Sequence, residues 1–402
     1  MYLFRLVVKL PRTRPPAWLA AILVASAILA GWDLWTWLST ELARPYLNDF
    51  RGYYAAAQIG VRGGWSRIYD LRLQAAAGEA IAGVRGNWVP FVNPPPMAWI
   101  MAPLTLLPFA VAYWLWDAIL LGGVVASWRL VVTGDGWRRA ATLLATLAVL
   151  PVTFAFMLGT SGLLNAIAVP VAWWLLKRRK DAGAGLVLAA AIAAKPQDAF
   201  LLPLALLITG RVRAFVAAAA GLAVLAAASL LTLGGSGLRT MIATLVGTEA
   251  QLLEVNHRFT VIGVFGDHPA TYVIQAVLAL AALATARRRR SRLELVMAGG
   301  VLASFFLAPH LSLQDYSVLA TTSWLLLRLR LRPPLIALFG FGYLAAEFAV
   351  PLGMLPLFLF ELGLLVALAL PAGFEDDEDR RAEQDDPERR KDAAHHGQHH
   401  LE

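Results

Sequence analysis

The chain contains no cysteine, which removes disulfides, thiolate-bound metals and cysteine nucleophiles from consideration. Charge is also scarce: Asp, Glu, Lys and Arg make up 15% of 402 residues, where a soluble domain carries about a quarter. No Walker loop, dinucleotide fingerprint or His-Glu-x-x-His motif occurs, so ATP hydrolysis and zinc proteolysis have no support. The two halves show no repeat of each other. Acidic residues are the minority charge, and the formal net charge is +8. The basic residues nevertheless lie in short clusters between apolar runs, a distribution that reads as positive-inside membrane topology and argues against a nucleic-acid partner.

What is abundant is apolar: 58% of the residues are hydrophobic. That composition predicts an all-α polytopic membrane protein. The start (Arg5, Lys9, Arg12 and Arg14 before the apolar run 17–38) imitates a signal peptide, but the run is long enough to span and no small-residue cleavage site follows. It reads as a retained first helix after a basic cytoplasmic segment, 1–16. Further apolar runs fall at 97–128, 140–158, 163–176, 183–194, 199–209, 215–233, 261–286, 293–308, 317–327, 334–350 and 352–370. Together they predict about 12 spans within a membrane domain 17–371. The run 97–128, broken by Pro103 and Pro108, reads as a re-entrant piece plus a span. Two polar outer loops are expected, 39–93 and 234–260, the first carrying a helical piece near 71–82. The segment 372–402 reads as a disordered charged tail. Its closing His pairs, 395–396 and 399–400, are a weak metal signal at best, Leu401-Glu402 looks appended, and the end of the chain carries no functional weight.

Simple alternation from an inside N-terminus puts every strong basic cluster on the cytoplasmic side. The same alternation puts Asp49, Lys195, Asp198, His257, Arg258, His310 and Asp315 on the opposite face. An acid, a lysine and histidines on one side suit a reaction on an anionic, lipid-linked substrate. Asp49 could serve as general base on a hydroxyl, and Lys195 and His310 could hold phosphate oxygens and stabilise a leaving phosphate. Each has a plainer reading. Asn48 or Asp49 would cap a helix starting at Phe50, Lys195 before Pro196 would end a helix and snorkel, His310 would be a loop histidine, and Asp315 would cap the next helix. The His257-Arg258 pair reads as a solvated loop. Prolines at 94–96, 103, 108, 196 and 309 fit broken helices around a polar cavity.

Four pieces, in order, carry a family resemblance. Asp49-Phe50-(two)-Tyr53-Tyr54-(one)-Ala56-Ala57 runs on to Tyr69-Asp70. Asn93-Pro94-Pro95-Pro96 precedes Ala102-Pro103-Leu104-(two)-Leu107-Pro108. Gly159-Thr160-Ser161-Gly162 forms a turn between apolar runs, and Lys195-Pro196-Gln197 is matched later by Pro309-His310 with Gln314-Asp315. The pattern resembles glycosyltransferase family 87, polytopic GT-C enzymes that include polyprenyl-phosphate-mannose-dependent mannosyltransferases. Asn93 stands where that family usually has tyrosine, and Thr160 where glutamine is common. The resemblance implies a GT-C fold and inverting transfer of mannose or a related sugar from a polyprenyl-phosphate donor to a lipid or glycan acceptor. It implies Asp49 as catalytic base and Lys195, His310 and Arg51 as donor-phosphate contacts. Tyr53, Tyr54, Gln197, Gln314, Asp315 and Asn93 become substrate contacts. Neither a cofactor nor a metal is expected, and the enzyme would act, as a monomer among membrane lipids, on the outer face of a bacterial cytoplasmic membrane. A transporter or flippase of lipid-linked sugars is the alternative. The absence of repeated halves and the unpaired Asp49 loop weigh against it.

Overall fold

The computed structural model describes residues 14–43, 48–86, 88–257, 259–370 and 374–375. Most of the basic N-terminus and nearly all of the charged tail lie outside the described residues, as do the side chains of the His257-Arg258 pair. The described chain is helical apart from one two-residue antiparallel ladder, Arg330–Leu331 against Phe374–Glu375.

Local chemistry explains the segment expected as the first polar loop, 39–93. It folds into two helices, Asp49–Gly63 and Leu71–Ala82, rather than an irregular loop. Asn48 caps the first, its side chain accepting from Arg51 N at 3.2 Å. Asp70 caps the second, accepting from Arg72 N at 2.9 Å and Leu73 N at 3.3 Å; such a cap is worth about 1 kcal/mol. Pro95 and Pro96 open the helix Pro95–Met101, where their missing N–H groups cost nothing. A 3₁₀ segment, Ala102–Leu106, then leads to the long apolar helix Phe109–Val131, so the run 97–128 divides at Pro103 and Pro108 into a short piece and a long one.

Among the described residues, four helices are long and apolar enough to cross a membrane: Ala17–Thr40, Phe109–Val131, Val212–Thr248 and Pro269–Arg288. A fifth crossing results if Gly136–Ala148 and Leu150–Leu158, bent by 59°, form one span. Five shorter apolar helices complete the bundle: Gly162–Lys177, Asp181–Ala194, Leu293–Leu307, Pro333–Glu347 and Leu355–Ala369. At 1.5 Å per residue each is roughly 20–24 Å long, short of the ~30 Å hydrocarbon core. Four long helices, or five with the bent pair, meet that length, against about a dozen apolar runs in the sequence; the shorter helices make up the rest of the bundle.

Two expectations are corrected. The run 140–158 is broken at Val149, where the helix Leu150–Leu158 starts in a new direction with Pro151 in its first turn. The Leu150 N–H so exposed donates to Glu347 Oε2 at 3.0 Å, which satisfies a helix-end donor in an apolar setting. The loop expected at 234–260 is instead helical almost throughout, within a single helix Val212–His257. Gly234, at φ 61°, sits in the left-handed region inside it. The C-terminal half of that helix is held by the segment between Asp49 and Ala82: Gly237 lies where an added Cβ would come within 2.7 Å of Ser66 O, and Thr244 Oγ1 donates to Tyr69 O at 3.0 Å. Packing overrides the Gly-Gly-Ser-Gly break signal.

Helices meet through small residues, as helices surrounded by lipid commonly do. At Gly185 a Cβ would lie 2.2 Å from Ala214 O, so Asp181–Ala194 and Val212–His257 touch backbone to backbone. The bundle also has two chemically distinct ends. Gly162–Lys177 and Asp181–Ala194 join at the basic cluster Lys177 to Lys180, where Lys177 pairs with Glu294 at 3.0 Å and Trp173 Nε1 donates to Glu294 at 3.2 Å. Their other ends, Gly162 and Lys195, come together roughly 20 Å away.

Candidate active site

The helix Asp49–Gly63 supplies the first wall. Because Asn48 is the cap, the Asp49 carboxylate is left to face the cavity, half-buried. Tyr53, one turn on, follows it on the same face. Its hydroxyl lies 3.3 Å from Ser161 Oγ and accepts from Ser161 N at 3.4 Å. Phe50 and Tyr54 face the other way, into an aromatic cluster with Phe109 and Tyr113, with ring centroids 5.3–6.0 Å apart. Tyr54 donates there to Leu107 O at 2.7 Å. Arg51 is fully buried and, like Tyr54, does not line the cavity.

The turn Gly159-Thr160-Ser161-Gly162 is the hub of the site. Gly159 ends the helix Leu150–Leu158 at φ 60°, and a Cβ there would sit 2.9 Å from Phe50 Cβ. Both facts require glycine. Thr160 hydrogen-bonds Asp49 through its hydroxyl. Ser161 accepts from Asn93 Nδ2 at 3.0 Å, and the same amide donates to Ala194 O at 3.1 Å. Asn93 thereby ties its own segment to the Gly159–Gly162 turn and to the end of Asp181–Ala194. Tyr69 fixes Asn93 in turn, donating to its carbonyl at 2.6 Å.

Lys195 ends Asp181–Ala194 before Pro196, yet its ammonium does not snorkel: it forms a buried ion pair with Asp315. Asp315 does two jobs. One oxygen accepts from Ser312 N at 2.9 Å, capping the 3₁₀ turn Leu313–Tyr316, while the other meets Lys195. Asp198, fully buried, stands beside them and accepts from Asn165 Nδ2 at 3.3 Å; that amide also donates to Lys195 O at 2.8 Å. A methyl group on Gly162 would lie 3.3, 3.4 and 3.5 Å from Asp198 Oδ2, Asp315 Oδ1 and Lys195 Nζ. The turn therefore packs closely against all three members of the charged group, tightest at Asp198. Gln197 Nε2 and His310 Nε2 are 3.0 Å apart at the mouth.

These segments enclose a cavity of about 570 Å³. It is lined by Asp49, Tyr53, Asn93, Lys195, Gln197, His310, Gln314 and Asp315, with Phe200 and Leu245 among its apolar walls. Eight of the ten site residues named from the sequence are thus brought together from four separated segments. Ser161, Thr160, Asn165 and Asp198 complete the network without having been given roles; a Gly-Thr-Ser-Gly turn between two apolar helices was the available signal. Among the described residues, no group of three His, Cys, Asp or Glu is placed to hold a metal ion.

The electrostatics divide the labour. Burial, only partly offset by Lys195, pushes the Asp49 carboxyl up to about 6, with Asp315 adding to the rise and Thr160 opposing it. Such a carboxylate is ionised at neutral pH yet basic enough to accept a proton. Burial and the Asp49 charge push the Tyr53 hydroxyl up to about 12, so it remains a donor. Burial disfavours charge on Lys195, but Asp315 and Asp198 outweigh it and hold the ammonium protonated. The cavity therefore sets a proton acceptor on one wall and a fixed cation with neutral donors on the other, around space for a polar substrate.

The family model for glycosyltransferase family 87 matches residues 91–312, more than half of the chain. The matched stretch takes in Asn93, Thr160, Ser161, Lys195, Gln197 and His310, and lies between the Asp49 helix on one side and Gln314-Asp315 on the other. No curated protein and no solved structure matches the chain. With apolar helices long enough to cross a bilayer and a family match over most of the bundle, the chain belongs to glycosyltransferase family 87.

Proposed function

We propose that the protein transfers a sugar, mannose or a related monosaccharide, from a polyprenyl-phosphate donor to a lipid or glycan acceptor, with inversion, in a GT-C membrane domain. One observation carries the reading: Asp49, Lys195 and His310, distant in sequence, line one cavity. The acceptor hydroxyl attacks the anomeric carbon as Asp49 takes its proton. The bond from that carbon to the phosphate oxygen breaks, and the phosphate leaves with the electron pair. Lys195 and His310 meet the charge that develops on it, the electrostatic part of the catalysis. Because Lys195 is already paired with Asp315, it contributes as a fixed, oriented donor rather than as a free positive charge. Tyr53, Asn93, Gln197 and Gln314 offer hydroxyl and amide groups to the sugars, while Arg51 and Tyr54, placed in the core, have no part in the reading. The apolar wall at Phe200 and Leu245 suits the first carrier isoprenes.

The basic cluster Lys177 to Lys180 stands at the helix ends opposite the cavity. With positive residues inside, the cavity opens at the outer face of a bacterial cytoplasmic membrane. The protein acts as a monomer, without a metal. The test incubates purified protein with a panel of labelled polyprenyl-phosphate sugars and, separately, nucleotide sugars, on endogenous lipid extract. Transfer from a polyprenyl-phosphate sugar alone supports the reading. Transfer only from a nucleotide sugar overturns the donor assignment. Movement of labelled lipid between vesicle leaflets with no transfer from any donor establishes a flippase instead.

A further inference from the structure

Tyr316 follows Asp315 in the 3₁₀ turn Leu313–Tyr316, and the two side chains go opposite ways. Asp315 faces the catalytic cavity and Lys195. Tyr316 lines a second, largely apolar cavity of about 190 Å³, walled by Thr146, Trp324, Phe339 and Phe360. There its hydroxyl donates to Glu361 Oε1 at 2.7 Å. Its other neighbours, Phe259 O and Met354 Sδ, are both farther, at 3.3 Å. The ring is braced edge-on by Phe305, with centroids 5.2 Å apart. Glu361 is buried and is the only ionisable residue of the apolar helix Leu355–Ala369. An acid in such a segment is costly, and where it occurs it marks function.

A 3₁₀ turn has weaker hydrogen-bond geometry than an α-helix, so its side chains are only as well placed as its anchors. This turn has an anchor at each end: Ser312 with Asp315 at the start, and Tyr316 with Glu361 at the finish. We propose that Glu361 is a positioning residue for sugar transfer, fixing the Leu313–Tyr316 turn through Tyr316 so that Asp315 holds Lys195 against the catalytic cavity. This rests on the glycosyl-transfer reading above. Glu361 touches no substrate. Its influence passes through the tyrosine hydroxyl, the turn, and the Lys195–Asp315 pair to the site of the donor phosphate.

The test is steady-state kinetics in both substrates for the wild type, Glu361→Gln, Glu361→Leu, Tyr316→Phe and the Tyr316→Phe/Glu361→Leu double variant. Leucine suits an apolar helix and removes the acceptor; glutamine keeps an acceptor oxygen for Tyr316. Glu361→Leu and Tyr316→Phe should each lower kcat/KM for the donor about tenfold, the effect of losing one well-placed buried hydrogen bond. The acceptor KM should stay within about twofold, the double variant should be no worse than the weaker single, and Glu361→Gln should keep most of the wild-type rate. A purely structural defect would instead lower the active fraction and leave both KM values unchanged. Donor kcat/KM within twofold of wild type in both Glu361→Leu and Tyr316→Phe overturns the proposal, as does a Glu361→Gln variant as impaired as Glu361→Leu. If Glu361→Leu does not fold, Tyr316→Phe decides. A wild type that transfers no sugar refutes the reading beneath the inference; an active wild type with unaffected variants refutes the inference alone.

Discussion

Replacing Asp49 with asparagine should stabilise the protein while destroying its activity. Burial is the main reason the Asp49 carboxyl rises from 3.8 to about 6. A shift of roughly two units corresponds to about 3 kcal/mol against the ionised form in the folded state. The positive end of the helix Asp49–Gly63 favours the carboxylate by about 0.3–1 kcal/mol. Asparagine keeps an acceptor for Thr160 but carries no charge to desolvate. The net gain expected for Asp49→Asn at pH 7.5 is therefore about 2 kcal/mol. The sign follows from linkage. An acid whose folded-state value is raised binds its proton more tightly when folded, so the wild type loses stability as pH rises from about 4 to about 6. The advantage of Asp49→Asn should be full at pH 7.5, smaller at pH 5 and gone near pH 4. Thermal inactivation in detergent, followed by loss of monodisperse protein, reads this as a rise of a few degrees at pH 7.5. An Asp49→Asn protein less stable than wild type at pH 7.5, or an offset that does not shrink by pH 5, would refute the desolvated-base argument.

Three further outcomes are expected. The rate of transfer should fall on the acid side with a midpoint near pH 6, where Asp49 becomes protonated, and lose about tenfold per unit below it; a pH–rate profile at saturating donor checks this. Lys195→Ala leaves Asp315 buried beside Asp198 without its cation, and removing one partner of a buried pair costs about 3–5 kcal/mol. Lys195→Ala/Asp315→Ala should recover much of that stability in the same inactivation assay without recovering donor affinity. Dialysis against EDTA should leave transfer unchanged; loss of activity restored by one divalent cation would count against metal-free chemistry.

How far the sequence could be read depends on how local each cause is. The Asp70 cap, the Pro94–Pro96 entry and the Pro103–Pro108 interruption act within a few residues, and their helices fall where the pattern puts them. The break at Val149 is different, because it is stabilised by Glu347 from nearly 200 residues away, and no local pattern announces that partner. The helix Val212–His257 runs through Gly-Gly-Ser-Gly because Ser66 and Tyr69 hold its C-terminal half. In the site, the resemblance named Asp49, Arg51, Tyr53 and Tyr54 alike; in the folded helix Asp49 and Tyr53 line the cavity, whereas Arg51 is buried away from it and Tyr54 turns into the aromatic cluster. A motif names neighbours in sequence; the helix face decides which of them reach the cavity. The Lys195–Asp315 pair joins two motifs 120 residues apart, and only the fold shows that Lys195 ends its helix without snorkelling and that Asp315 caps its own 3₁₀ turn rather than the next helix, both while lining the cavity.

The measurement closest to the central claim is a single-turnover comparison of wild type and Asp49→Asn with a labelled polyprenyl-phosphate sugar, both proteins shown to be folded. Loss of a general base should slow transfer by about 10²–10⁴-fold while donor binding persists. Transfer by Asp49→Asn at the wild-type rate would contradict the account.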